Sequence, residues 1–168
     1  MRIRERIARS VTAVRYIGVK EMSATRPIHP DFLELLQVKD RALVELFVDA
    51  RQFLLDLHPG ANELLYRTHA LTAVFSVSER LGDAYCMLPI YSKHFNLGFN
   101  QGTQLDDPHK LLTGTGNLIR HIDISATADY RNGKVEDLVR AAIAFAKSDM
   151  DKPSKALGLT LSRIAVKK

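Results

Sequence analysis

A chain of 168 residues is long enough for one domain with its own core. Its composition, 46% hydrophobic and 26% charged, is that of an ordinary globule, and no window approaches the roughly 20 apolar residues of a membrane span. The single cysteine, Cys86, excludes a disulfide framework and every metal motif built on cysteine pairs. The net charge of +5 hints at nucleic acid, but residues 1–21 carry Arg2, Arg4, Arg6, Arg9, Arg15 and Lys20 against only Glu5 and Glu21. The rest of the chain is therefore close to neutral and lacks the aligned positive charges that capture phosphate backbones.

Residues 1–30 read as a basic, flexible N-terminal extension and linker, 31–150 as the folded domain, and 151–168 as a mobile C-terminal tail. In the extension, Ile3, Ile7, Val11 and Val14 recur at helical spacing among arginines, as in a mitochondrial transit peptide. Two plainer readings are a true start at Met22 and an ordinary frayed extension. Pro27 and Pro30 block helix in the linker, and Asp31 can cap the segment that follows. A helix is expected over 40–57, where Leu43, Phe47, Ala50, Leu54 and Leu57 form one apolar stripe. His58-Pro59-Gly60 ends it. Glu45, Asp49 and Asp56 fall on the opposite side and make an acidic ridge.

Strands follow. Residues 63–66 form a short one before an Arg67-Thr68-His69 corner. Leu71, Ala73, Phe75 and Val77 alternate with smaller or polar residues. A turn over 78–83 leads into Ala84, Cys86, Leu88 and Ile90, where Pro89 predicts an edge strand or a bulge. Phe95, Leu97 and Phe99 mark the next strand. After Gly102, Asp106 or Asp107 with Pro108 predicts a short helix over 109–112, closed by Gly114 in a left-handed conformation, with Gly116 permitting a sharp exit. A last strand carries Leu118, Arg120, Ile122 and Ile124 on one face and Ile119, His121 and Asp123 on the other. A helix over 135–147 buries Leu138, Val139, Ala142, Ile143 and Ala146. The tail, with Leu157, Leu159, Leu161 and Ile164, reads as a loose helix or a partner-binding arm. The expected fold class is α+β: a small antiparallel sheet of four to five strands with an N-terminal and a C-terminal helix packed on one face.

Chemistry is sparse. The histidines at 29, 58, 69, 94, 109 and 121 show no local metal spacing, and no P-loop, nucleophile elbow or dinucleotide fingerprint is present. Nothing flanks Cys86 to lower its pKa, so it reads as core. The chain is therefore expected not to be an enzyme. An inward guanidinium at Arg120 must find acceptors. Either it builds an anion or carboxylate site with neighbouring Gly-loop amides, or it sits at the strand end and reaches solvent. The candidate ligand set is Arg120, His121, Lys93, His94, Gly114 and Gly116. The ridge of Glu45, Asp49 and Asp56, with His94 or His109, is the candidate metal set, since carboxylate oxygens suit hard and borderline cations.

The runs Lys93-His94-Phe95-Asn96-Leu97-Gly98-Phe99, Leu105-Asp106-Asp107-Pro108, Leu111-Leu112-Thr113-Gly114-Thr115-Gly116 and Arg120-His121-Ile122 resemble the YdhG-like family, a bacterial family of undefined function. The likeness spans about residues 40 to 147. It implies an α+β fold comparable to frataxin. Some members are described as frataxin-like iron chaperones that serve iron–sulfur assembly. The resemblance therefore implies a non-enzymatic binding domain in the cytoplasm, Fe2+ as cargo on the acidic ridge, and iron–sulfur assembly proteins as partners. One departure is the corner Tyr66-Arg67-Thr68-His69, where family members often carry a Trp-Gly-x-Pro type; this chain has no Trp. The alternative is a small-anion or protein-interaction module centred on residues 92–125.

Overall fold

The computed structural model describes residues 26–165, so the basic N-terminal segment and its transit-peptide reading lie outside the described residues. Helix α1 (Pro30–Leu36) starts at His29, whose Nδ1 accepts the Asp31 N–H, and Pro30 occupies the first turn without losing a bond. The cap is thus His29, not Asp31. Helix α2 (Arg41–Leu57) is capped by Asp40, whose carboxylate accepts the Leu43 N–H at 3.0 Å. It stops at His58, before Pro59. Helix α3 (Gly133–Asp149) begins at Asn132, whose side-chain oxygen accepts the Val135 N–H at 3.0 Å.

Among the described residues, six strands form one sheet: β1 (Asn62–Arg67), β2 (Leu71–Ser76), β3 (Ala84–Ile90), β4 (Phe95–Phe99), β5 (Arg120–Ile124) and β6 (Thr160–Ser162), in the order β5-β4-β3-β2-β1-β6. The first five make an antiparallel meander, with short links from β1 to β4 and a long one from β4 to β5, and β6 pairs parallel to β1. The α+β class stands. The sheet, however, has six strands and is mixed, and among the described residues α1 adds a third helix to the two expected. The extra strand comes from the C-terminal segment. Asn62 donates from Nδ2 to the Ala156 carbonyl and accepts the Leu159 N–H at Oδ1, which aligns that segment beside β1 instead of letting it coil.

Proline 89 does not mark an edge. Strand β3 lies inside the sheet between β2 and β4. The β3–β4 pairing runs through Cys86–Phe99 and Met87–Gly98 and resumes only at Ile90–Phe95, so the residue without an N–H sits in a gap of that ladder. The β3 bulge falls instead at Tyr85, the residue passed over between the Phe75–Cys86 and Ser76–Ala84 pairs.

One face of the sheet and the inner faces of the helices share a single core. Phe32, Phe47, Leu54, Val139 and Ile143 pack with Leu65, Phe75, Leu88, Phe95, Leu97 and Ile124. The other face carries only a small cluster of Leu64, Val74 and Ala84, flanked by Tyr66, Met87 and Leu161. Among the described residues, no helix is long and apolar enough to cross a membrane.

Candidate binding site

Strand β4 ends at Phe99, and β5 begins 21 positions later, at Arg120. Between them lie one short 3-10 turn (Gly102–Gln104) and a stretch, 105–119, with no regular element. So long an irregular stretch in a small domain is either functional or loosely held. This one is well tied. Thr103 donates from its N–H to Leu118 O at 3.0 Å and from its hydroxyl to Asn117 O at 3.1 Å. The two oxygens of Asp107 accept the N–H groups of Leu111 and Leu112, both at 2.9 Å. Thr113 and His121 exchange both backbone bonds at 2.9 Å. Leu105, Leu111 and Leu112 are half-buried against the core.

The short helix expected over 109–112 is absent. Asp107 does cap, but Lys110 turns to a φ of 54° and breaks the helical path, and Thr113 then runs extended along β5. Gly114, at φ 124°, has the positive dihedral expected of it, although no helix precedes it. Gly102 matters for a different reason: a Cβ there would lie 2.5 Å from Arg120 Cβ and 2.8 Å from Arg120 N. Only glycine lets the loop start pass so close to β5.

Arg120 has neighbours on its side of β5 that do face the core: Ile124 is buried and Ile122 half-buried. Its Nη1 donates to Gly116 O at 2.5 Å and Ile119 O at 2.8 Å. The acceptors are loop carbonyls, so the loop holds the guanidinium rather than adding amide donors to it. Nε and Nη2 have no acceptor among the described residues, and no carboxylate there comes within salt-bridge range. His121 sits beside it on the other side of the strand, half-buried, with Nε2 3.5 Å from Asp123 Oδ1. Its Nδ1 lies 3.4 Å from where a Gly114 Cβ would be.

Of the six candidate ligand residues, the structure gathers Arg120, His121, Gly114 and Gly116. It does not bring Lys93 and His94 to them. Phe95 pairs with Ile124 and Phe99 with Arg120, so the turn holding Lys93 and His94 is at the far end of the β4–β5 ladder, roughly 13 Å away at strand spacing. There His94 stacks on Tyr91, ring centroids 4.6 Å apart. Leu118, expected to be buried on the last strand, precedes β5 and is exposed, as is Ile119.

The acidic ridge exists as a shared face of α2, but each carboxylate has its own partner. Glu45 accepts from Arg41 Nε at 2.8 Å, and Asp56 from Gln52 Nε2 at 2.6 Å. Asp49 accepts from the Tyr130 hydroxyl and from Arg131 Nε and Nη2 at 2.7 and 2.9 Å, with Arg131 also over the Phe53 ring. Burial alone would raise the Asp49 pKa, but the bonds from Arg131 and Tyr130 outweigh it and hold the carboxyl below its ordinary range. Among the described residues, no three His, Cys, Asp or Glu side chains converge as a metal ion would need. His109, on the exposed loop, joins no such group. Cys86 is fully buried, and burial raises its thiol pKa, which leaves it an inert core residue.

Two buried polar arrangements have no counterpart in the sequence reading. Arg51 of α2 meets Glu63 of β1 inside the core. His58 Nδ1 lies 2.9 Å from the Tyr85 hydroxyl; burial, then the charges of Lys147 and Arg26, depresses the His58 pKa.

Comparison with known proteins finds no matching family model, no matching curated protein and no matching solved structure.

Proposed function

We propose that this chain is a non-enzymatic binding domain whose contact surface is the loop between β4 and β5, and that the ligand is a protein. The observation carrying this reading is the loop itself. It is long and irregular, yet fixed at Thr103, Asp107 and Thr113 by side-chain and backbone bonds, and it presents the adjacent aliphatic side chains Leu118 and Ile119 to solvent. Ordering a loop before it binds removes an entropic cost from association. Among the described residues, no nucleophile with an adjacent activating base lies on it, so a contact role suits it better than a chemical one.

The test uses the full chain as bait beside its Leu118→Ser/Ile119→Ser variant. Both substitutions are solvent-facing, so the melting temperature is expected to stay within about 1–2 °C of the parent. A purified partner bound by the parent and lost by the variant, measured by calorimetry, supports the reading. Equal binding of every captured partner by both proteins overturns it.

Ferrous-iron binding is the second reading. It rests on the YdhG-like resemblance and on Glu45, Asp49 and Asp56 sharing one face of α2; a cytoplasmic location and iron–sulfur assembly partners belong with it. Iron would have to displace Arg41 and Gln52 from their carboxylates, which ranks it below the loop. Anaerobic calorimetry with Fe2+ separates the two. Binding heat lost in Glu45→Gln/Asp56→Asn favours iron, and heat that is absent or unchanged removes it.

A further inference from the structure

We infer that residues 3–17 dock as an amphipathic helix on the sheet face turned away from α1, α2 and α3. This goes beyond the loop-binding reading and does not depend on it.

Directly paired residues share a side of a sheet, so Leu161, Leu64, Val74, Met87, Gly98 and His121 form one row running β6-β1-β2-β3-β4-β5. A Cβ on Gly98 would lie 2.7 Å from Met87 Cγ, so the Met87 side chain lies over β4. Leu64 and Val74 are buried, and Tyr66, Met87 and Leu161 beside them are half-buried, yet no residue of the described helices joins this cluster. The strand positions on this face carry one formal charge among the described residues, Asp123 on the edge strand β5. A sheet face left to water normally sets polar and charged residues against the buried ones. This face has the composition of a second buried side.

The sequence holds a matching cover. At 100° per residue, Ile3, Ile7, Val11, Val14 and Ile17 fall in one stripe, and Arg2, Arg4, Arg6, Arg9 and Arg15 fall outside it. Helices in proteins are held mainly by burying such a stripe. As a helix the stripe is about 21 Å long, against about 24 Å for the row and about 20 Å for β1. With its apolar side on the sheet, the arginines face water, as a face with so little charge requires. The attachment point agrees. Arg26 donates to the carbonyls of Pro59 at 2.9 Å and Leu159 at 3.5 Å, which lead into β1 and β6. From there residues 18–25 reach at most roughly 28 Å, enough to round the β6 edge, where Leu161 begins the row.

The chain has no Trp, so Val11→Trp in the full chain is a single fluorophore. Its emission is expected to lie to the blue of the same tryptophan in a synthetic peptide of residues 1–21, to resist iodide quenching, and to be unchanged by dilution. Adding Met87→Glu/Leu161→Glu, which charges the row, is expected to return the emission to the peptide's value. Separately, Ile7→Asp in the full chain is expected to lower the melting temperature by about 4 °C or more, an effect that a residue of an unpacked segment cannot have. Emission equal to the peptide's, or Ile7→Asp melting as the parent does, would overturn the inference. So would blue emission that survives Met87→Glu/Leu161→Glu in a folded chain, since the cover would then lie elsewhere. Shielding that fades on dilution as the mass halves in light scattering assigns the stripe to a second copy and overturns it. Shielding that needs vesicles of anionic phospholipid assigns the stripe to a bilayer and overturns it too. If Met87→Glu/Leu161→Glu fails to fold, Val14→Trp as a second probe and Ile7→Asp keep the inference testable. None of these outcomes touches the Leu118→Ser/Ile119→Ser test of the loop.

Discussion

Arg51 of α2 and Glu63 of β1 are joined by two parallel bonds inside the core, Nε to Oε1 at 2.9 Å and Nη2 to Oε2 at 2.7 Å, with side chains only 3% and 1% exposed. The guanidinium also donates to the carbonyls of Arg26 at 3.0 Å and Pro27 at 3.3 Å. One buried charge pair thus ties helix, sheet and incoming chain together. Taking two charges out of water costs about as much as their attraction returns, so such a pair adds little net stability while making the loss of either member severe.

Removing one partner tests this. Arg51→Met and Glu63→Leu are each expected to lose about 3–5 kcal/mol, because each strands a buried charge. The double variant is expected to recover a large part of that loss, though not all, since the Arg26 and Pro27 carbonyls lose their donor. Urea denaturation of the three variants measures it, and single losses under about 1 kcal/mol would contradict the account.

At the loop, three glycines are expected to respond in a definite order. Gly102→Ala drives a Cβ onto the backbone of β5 and is expected to cost about 1–3 kcal/mol, detaching the loop from Arg120. Gly114→Ala meets only ordinary contacts but must hold φ at 124°, so it is expected to cost less. Gly116→Ala, whose nearest contact would be Ile119 O at 3.7 Å, is expected to be near neutral. Melting temperatures, with hydrogen exchange at the Thr113 and His121 amides, report the ranking.

The Asp49–Arg131 contact has a pH signature. Its carboxyl is depressed below 3.8 in the folded chain, so its contribution is complete above that value and fades as pH falls through the lower folded pKa. Asp49→Asn is expected to melt below the parent at pH 7 and to match it progressively in acid, once the parent's Asp49 is itself protonated. A gap that stays constant from pH 7 to pH 2 would show that the charge is irrelevant.

The His58–Tyr85 contact titrates higher. Burial, with Lys147 and Arg26 adding repulsion, depresses the imidazole pKa below 6.5, so the unfolded chain binds the extra proton first. Stability is therefore full above pH 6.5 and declines as pH drops from there towards the folded value. His58→Gln keeps a side-chain acceptor for the Tyr85 hydroxyl and is expected to flatten that decline relative to the parent. Melting curves from pH 8 to pH 5 give the comparison; the other five histidines are common to both proteins.

The helices of 40–57 and 135–147 and the strand alternation over 71–99 were legible because each buries one face, and a single face leaves a period in the sequence. Other features depend on partners distant in the chain. Position 51 lies four after Phe47 and three before Leu54, on the apolar stripe, and Glu63 alternates with Leu65; charges at two core-facing positions were a readable sign of the pair. Strand β6 left no such sign, since three half-buried residues show no alternation and their pairing depends on Asn62. The short helix failed because Asp107 bonds the amides of both Leu111 and Leu112, while Lys110 leaves the helical region. Arg120 was recognised as unusual, but whether its loop offered amides or carbonyls is a matter of peptide orientation, which residue types do not encode.

The pairing of β6 with β1 also bears on how the polypeptide is made. β1 receives its second neighbour only after nearly a hundred further residues have been translated, roughly 5–20 s at common elongation rates. During that interval a nascent chain carries a strand with one bare edge of backbone donors and acceptors, next to the aliphatic Leu64 and Leu65. Nascent chains on one messenger are therefore most prone to pair with each other just before Thr160–Ser162 leave the ribosome.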